Sequence, residues 1–374
     1  MKKLAIPLAA PLALGVALGV STAPAMAKST IGGIVFLNTY YDSKSDDITP
    51  TNDIDNFTLA NAGNSRLRIK WNNEDRVSMY YEFAIGSTNK VRHAYGKWDF
   101  SETGQILAGA TSTPFAPLNA NVAMVHNSGQ GYGRVSPGRP SQMRYTYKFL
   151  NRDGAIAVAL VDPNKGSSTV GVDGNGDDVS GRREQSFPRL DIGMAYSTFN
   201  WQIFPSAFYH QVDFADGVSS LTASGIALGF KTGTGPLTFT AELGAGSNWG
   251  NTAGSYSGST AGNNASALYS NGVKNDDNDN TGFFVDVGYR FTGDETRGTV
   301  HFIYGAMTSE ASGGGTTIDA KSTMIGLSVP IDLPYIARGF RIRPELFLFE
   351  DEDTGTNAVD KSNLIAGVQL QYTF

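Results

Sequence analysis

Cysteine is absent from the 374-residue chain, which excludes disulfides, thiolate metal centres and cysteine nucleophiles. Histidine is scarce. There are four, His93, His126, His210 and His301, and none neighbours another. A serine-type hydrolase needs a base within hydrogen-bond reach of its nucleophile. The nearest arrangement is Ser206 with His210, but positions i and i+4 on a strand lie about 13 Å apart. Beyond the first 27 residues no apolar run approaches the roughly 20 residues of a spanning helix. Phosphate loops, dinucleotide fingerprints and zinc spacings are missing. Asp173-Gly174-Asn175-Gly176-Asp177-Asp178 starts like an oxygen-rich calcium loop, but Asp178 stands where the sharp turn requires Gly. These absences exclude most enzyme classes and leave an expectation of no catalytic residues, no cofactor, no metal and no nucleic-acid partner.

What is present has a strong pattern. Lys2 and Lys3 precede a largely apolar stretch, Leu4 to Val20, and Ala25-Met26-Ala27 is a small-x-small cleavage site. Residues 1–27 therefore read as a secretory signal peptide, with Lys28 as the first mature residue. Glycine is abundant (44 residues) and aromatics reach 11%. At the other end, Leu364, Ala366, Val368, Leu370, Tyr372 and Phe374 share one face of an alternating run. An exported chain ending in an amphipathic strand with a terminal Phe looks like a bacterial outer-membrane barrel.

Sixteen amphipathic segments can be drawn: 30–41, 64–72, 76–87, 91–100, 105–112, 141–149, 154–162, 188–198, 201–213, 220–231, 237–246, 281–292, 297–308, 321–331, 340–350 and 361–374. Their connections alternate between short turns and mostly longer polar loops, namely 42–63, 113–140, 163–187, 247–280, 309–320 and 351–360. The expected fold is an all-β transmembrane antiparallel barrel of about 16 strands, one domain over 28–374. Pro205 and Pro344 fall inside strands, where a bulge or shifted boundary is expected. Ser247 to Asn280 reads as a mobile surface loop. Tyr40, Tyr41, Trp71, Trp98, Trp201, Tyr289, Tyr372 and Phe374 read as interfacial girdles.

The strand count, the length and the long third outer loop resemble the general trimeric porins of Gram-negative outer membranes. Val91-Arg92-His93-Ala94-Tyr95-Gly96-Lys97-Trp98-Asp99-Phe100 and Leu107-Ala108-Gly109-Ala110-Thr111-Ser112-Thr113-Pro114-Phe115 resemble the DcaP-like porins more specifically. The resemblance implies a passive water-filled homotrimeric channel in the outer membrane, in contact with lipid and lipopolysaccharide, whose loop 113–140 folds inward as the constriction. One departure is the second outer loop, which latches neighbouring subunits in many general porins and here is only Thr88 to Lys90.

Lys or Arg facing lipid at mid-bilayer costs roughly 2–4 kcal/mol, so the polar strand faces must turn inward. The inward bases are then Arg66, Arg68, Lys70, Arg144, Lys148, Arg189, Lys231, Arg290, Arg341 and Arg343. The inward acids are Glu82, Asp191, Glu242, Asp286 and Glu345. Lys97 and Asp99 remain unassigned to a face. Arg66, Arg68 and Lys70 form a ladder with steps of about 7 Å, and Arg68 can pair with Glu82. Loop 113–140 has no acid but carries His126, Arg134 and Arg139. A basic lumen favours anions. The pore-lining set is thus Arg66, Arg68, Lys70, Glu82, Arg134, Arg139, Arg144, Lys148, Arg341 and Arg343. The solutes would be small anionic or neutral molecules. Alternatives are a weakly selective pore, a substrate-specific channel (for dicarboxylates, for example) and a plugged structural or surface-binding barrel. The run Asp276, Asp277, Asp279 is a candidate for divalent ions or simply a solvated acidic stretch.

Overall fold

The structure is a computed structural model that describes residues 28–49, 53–86, 90–120, 132–133, 135, 138–162, 167–172, 178–182, 187–214, 218–252, 259–270, 273–293, 296–356 and 358–374. The expected leader, His126, Arg134 and Asp173 to Asp177 lie outside these residues.

The strands run β1 (Lys28–Asp46), β2 (Ile54–Asn61), β3 (Arg66–Asn72), β4 (Val77–Ala84), β5 (Val91–Trp98), β6 (Gly104–Ala110), β7 (Ser141–Phe149) and β8 (Gly154–Val161). There follow β9 (Ser167–Val172), β10 (Asp178–Arg182), β11 (Arg189–Ser197), β12 (Trp201–Val212), β13 (Leu221–Thr234), β14 (Leu237–Ser247), β15 (Leu268–Ser270) and β16 (Val273–Asp276). The last six are β17 (Asp279–Thr292), β18 (Arg297–Gly313), β19 (Thr316–Ser328), β20 (Ile331–Asp332), β21 (Phe340–Asp353) and β22 (Val359–Thr373). The pairs β9–β10 and β15–β16 are loop hairpins outside the main sheet. β2 and β3 together form one interrupted wall strand opposite β1, and β19 and β20 form another opposite β21. The wall is a closed barrel of 16 antiparallel strands. It closes where β1 meets β22, from Ile34 opposite Thr373 to Asp46 opposite Lys361. The terminal residue finishes the seam: Phe374 and Gly33 exchange backbone hydrogen bonds of 3.1 and 2.9 Å.

Closure satisfies the strand edges, which is the condition for strands to cross lipid. Alternation then sorts the side chains. Met143, Ile226 and Leu243 project outward at 59%, 66% and 57% exposure, while Ala159 and Ile303 face inward fully covered. Tyr41, Trp98, Trp201, Tyr289, Tyr372 and Phe374 lie on the exposed face, as the girdle reading expects. Tyr40 does not: its register turns it inward, where it packs beside Tyr132, Phe347 and Phe349. The prolines also depart from expectation. Pro205 stays in register opposite Leu228 and Pro344 opposite Val368, with no shift on those ladders. The missing N–H interrupts pairing only towards the other neighbour, and the same register resumes beyond the gap.

Two long loops enter the barrel. From loop 113–140, the Ala116 N–H donates to Ser206 Oγ (3.0 Å) and the Leu118 N–H to Glu242 Oε2 (3.0 Å). The Tyr132 hydroxyl donates to Asp351 Oδ2 at 2.6 Å. Phe115, Ala116 and Val135 are fully buried. The inner wall makes room with glycine. A Cβ on Gly193 would stand 2.4 Å from the Pro114 carbonyl, one on Gly244 2.7 Å from Val135, and one on Gly305 2.5 Å from the Tyr132 carbonyl. The second loop corrects the expectation of a mobile surface segment over Ser247 to Asn280. Its segments 248–252 and 259–269 fold inward, where Trp249, Ala261, Ala265 and Ala267 have no exposure, while Val273 stays 58% exposed. A helical turn, Thr260–Asn263, capped by Ser259, sits on the inner faces of β18, β19 and β21. Polar composition suggested solvent, but here the asparagines bond to the protein. Asn248 accepts from the Asn278 N–H, and Asn251 accepts from the Ala267 N–H.

Candidate functional site

The described parts of both loops lie against the wall from β11 to β21. On the opposite arc, β1 and β3 to β7, basic side chains retain access to solvent. Their centre is Glu82 on β4. Arg68 stands opposite Glu82 in the β3–β4 register, and its Nε donates to Oε2 at 2.8 Å. Arg66 approaches Oε1 at 3.5 Å and also lies 5.4 Å from the centre of the Phe36 ring. The Tyr80 hydroxyl donates to Oε2 at 2.7 Å. A third guanidinium, Arg92, donates from Nε to Oε1 at 2.8 Å. Strict alternation hides Arg92. The β4–β5 register shifts between Glu82 and Phe83, so Phe83 faces Val91 while Glu82 faces His93, and this irregularity turns Arg92 inward. Three guanidiniums share one carboxylate, so the cluster carries net positive charge.

The face of Lys97 and Asp99 is now settled: both turn inward. Asp99 accepts from Lys148 (2.8 Å) and Gln105 (2.7 Å), and Lys97 lies 3.5 Å away. Desolvation raises the Asp99 carboxyl, but the Gln105 and Lys148 hydrogen bonds and the Lys97 charge outweigh it and hold the group at about 2. Lys70 sits apart from the carboxylates, with its ammonium 5.8 Å from the centre of the Tyr80 ring. Arg144 donates to the Ser112 carbonyl (3.3 Å), and the Arg139 charge reaches His93, which bonds Thr111 Oγ1 at 2.9 Å. Arg139 and Arg144 therefore stand where loop 113–140 leaves and rejoins the wall.

Other expected pore residues are not gathered here. Arg341 donates to Asp332 at 2.7 Å at the short-turn rim, and Arg343 is buried 4.0 Å from Glu345. Arg189 is wholly buried in a bond to Asp191 (2.6 Å), its guanidinium 4.2 Å from the centre of the Phe208 ring. The remaining inward acids are engaged too: Glu242 holds loop 113–140 and Asp286 bonds His301 at 2.8 Å. Of the acidic run, Asp277 accepts from Lys274 and Asn248, so its carboxylate is held by the protein itself. No group of three or more metal-ligating side chains occurs among the described residues.

No known family profile and no curated protein matches the sequence. Solved structures do match the fold. The outer membrane channel DcaP of Acinetobacter baumannii aligns over 93% of this chain and 97% of its own, at 18% identity and a TM-score of 0.69. An anion-selective porin from Comamonas acidovorans aligns over 93% and 100%, at 11% identity and 0.57. The trimer form of OmpT, an outer membrane protein of Vibrio cholerae, aligns over 93% and 99%, at 13% identity and 0.54. The chain has the barrel fold of the outer-membrane porins.

Proposed function

We propose that this protein is a porin of the Gram-negative outer membrane, a passive water-filled channel for small hydrophilic solutes that prefers anions. The observation that carries the reading is the surplus of guanidinium around Glu82, on the side of the lumen that the described loop segments leave uncovered. A solute that passes within about one Debye length of a charged wall, roughly 8 Å at physiological salt, feels that charge. A cationic wall therefore concentrates anions and repels cations. Loop 113–140 acts as the constriction, with Arg66, Arg68, Arg139 and Arg144 around its opening and Arg134 on the loop itself. The leader 1–27 is removed on export. The barrel exterior contacts lipid, and its outer loops contact lipopolysaccharide. No step of this function is catalytic and none uses a cofactor or metal.

The fold shared with an anion-selective porin and with a protein solved in a trimer form supports both anion preference and assembly as a homotrimer. The deciding experiment is the reversal potential of the purified protein in a planar bilayer under a KCl gradient. The expected sign is anion-selective. A cation-selective sign defeats the assignment of the arginines, and absence of current favours a barrel plugged by its two loops. A substrate-specific channel is the second reading, because forked guanidiniums suit bidentate capture of a carboxylate. Current that saturates and is blocked by a dicarboxylate would favour it over a general pore.

A further inference from the structure

The arginine cluster is already partly neutralised. Further towards the short turns, the same arc holds a cavity of about 330 Å³ whose lining has a regular order. Four cross-strand neighbours on β1, β3, β4 and β5 form its upper row: Thr30, Lys70, Tyr80 and Tyr95. The next inward positions form its lower row: Lys28, Asn72, Ser78 and Lys97. Each of these eight side chains can donate a hydrogen bond, and none is a carboxylate. The rows span three strand spacings, roughly 14 Å, and stand about 7 Å apart. Lys28 and Lys97 flank the lower row, with Lys70 above them. Lys97 shares Asp99 with Lys148. Among the described residues Lys28 and Lys70 have no ion pair.

From this we infer a second anion site, separate from the arginine cluster: a lysine and hydroxyl cradle at the short-turn mouth that holds a small tetrahedral oxyanion of the phosphate type. The inference deepens the anion-channel reading and rests on it. The chemistry favours an oxyanion over chloride or a single carboxylate. Ammonium groups from three sides and neutral donors between them match oxygens that point in several directions. Lysine also suits release. Its point charge on a flexible stem offers no rigid fork, so a solute can pass from hand to hand. The arginine cluster then screens by sign at the loop, and the cradle retains multivalent anions at the exit.

Calorimetry on the detergent-solubilised wild-type protein with inorganic phosphate at pH 7.5, against acetate at matched ionic strength, tests the cradle. Phosphate should bind and acetate should not. A variant carrying Lys28→Gln, Lys70→Gln and Lys97→Gln should bind phosphate at least about tenfold more weakly, a change of about 1.4 kcal/mol. Lys231→Gln, a lumen lysine outside the cradle, should bind like wild type. In bilayers phosphate should depress the chloride current of wild type and not of the triple variant. The lysines project from the lumen wall, so Lys70→Gln alone serves as a second, milder variant and should lose part of the affinity. Wild type that fails to bind phosphate overturns the site. So does binding lost in Arg68→Gln and kept in the triple variant. Failure of the channel reading looks different: wild type would pass no KCl current, while calorimetry would still report on the cradle.

Discussion

Glu82 is the residue on which the charge of the lumen turns. It is almost fully buried, yet it accepts from Arg68, Arg92 and Tyr80 and lies near Arg66. Replacing it with Gln leaves three guanidiniums without their shared carboxylate. Glu82→Gln should therefore increase anion preference in reversal-potential measurements and lower the thermal stability of the barrel. The stability loss should be on the order of 1–3 kcal/mol, the usual effect of leaving buried charged groups unsatisfied. Arg68→Glu makes the opposite charge change at the same place and should lower the anion-to-cation permeability ratio; an unchanged ratio would remove Arg68 from the selectivity site. Asp99 predicts a pH response. Its folded value, about 2, is below the ordinary carboxylate value, so its contribution to stability is complete above that ordinary value and is lost as pH falls through about 2. Between pH 8 and pH 5 the Asp99 pairs with Lys97 and Lys148 should persist, and Asp99→Asn, unlike mild acidification, should raise anion preference. The Arg68–Glu82 contact was legible in the sequence because two alternating strands joined by a short turn fix their register. Arg92 was not, because a register irregularity leaves no compositional trace. The pairing of Arg341 with Asp332 was hidden too, since the drawn segment ends at 331, one residue short of Asp332, which the two-residue strand β20 sets opposite Arg341.

At the scale of elements, the two in-folded loops converge on a single acid. Asp351 on β21 accepts from the Tyr132 hydroxyl, from the Thr260 N–H at 2.7 Å and from Ser322 Oγ at 2.5 Å. One carboxylate thus fastens loop 113–140 and the loop before β17 to the same wall. Asp351→Asn removes charge from all three bonds and should loosen both loops. The expected result is a larger and noisier single-channel conductance, with faster hydrogen exchange at the Thr260 amide. If neither changes, Asp351 is not the fastening point. Gly305→Val is an independent route to the same end. Its Cβ would stand 2.5 Å from the Tyr132 carbonyl, a backbone atom that must then move. It should displace loop 113–140 and raise conductance while the strand signal in circular dichroism stays unchanged. The wall strands themselves were legible: the segment 141–149 matches β7 end to end, and β14, β17, β18 and β21 differ from 237–246, 281–292, 297–308 and 340–350 only in extending further towards the outer loops. The segments 76–87, 105–112, 154–162 and 201–213 run past the outer ends of β4, β6, β8 and β12. The inward course of the second loop was not. Runs of Gly, Asn, Ser and Ala carry no periodicity, and burial there comes from backbone and amide hydrogen bonds and small side chains, which hydropathy does not register. A usable signal was the set of inward glycines on β11, β14 and β18, which give up strand stability to admit the loop, its backbone at Gly193 and Gly305 and the Val135 side chain at Gly244.

For the whole molecule, the consequence is an asymmetric barrel. The described loop segments thicken the β11–β21 wall from within, while the β3–β6 wall has short strands and an unfilled surface on its outside. There a groove of about 640 Å³ is lined by outward-facing Trp71, Val77, Met79, Tyr81, Ala94, Gly96 and Ala108. The small residues Ala94, Gly96 and Ala108 form its floor, and a Cβ on Gly96 would meet nothing within 4 Å. Lipid tails can fill such a groove, but they gain no hydrophobic energy by leaving it, so close packing of a second protein surface is what favours association. In a trimer about an axis on this side, each thin basic wall would lie towards the centre of the assembly and each loop-filled wall towards the lipid. Filling the groove from within the chain separates assembly from folding, because the added side chain meets open space rather than the barrel's own atoms. Gly96→Trp should therefore leave the monomer folded and shift the detergent-solubilised protein from trimer towards monomer in light scattering. Its reversal potential should stay that of the wild type, since the cationic side chains of the proposed site face the lumen on the other side of the same strands. A Gly96→Trp protein that remains fully trimeric would place the subunit contact elsewhere on the barrel.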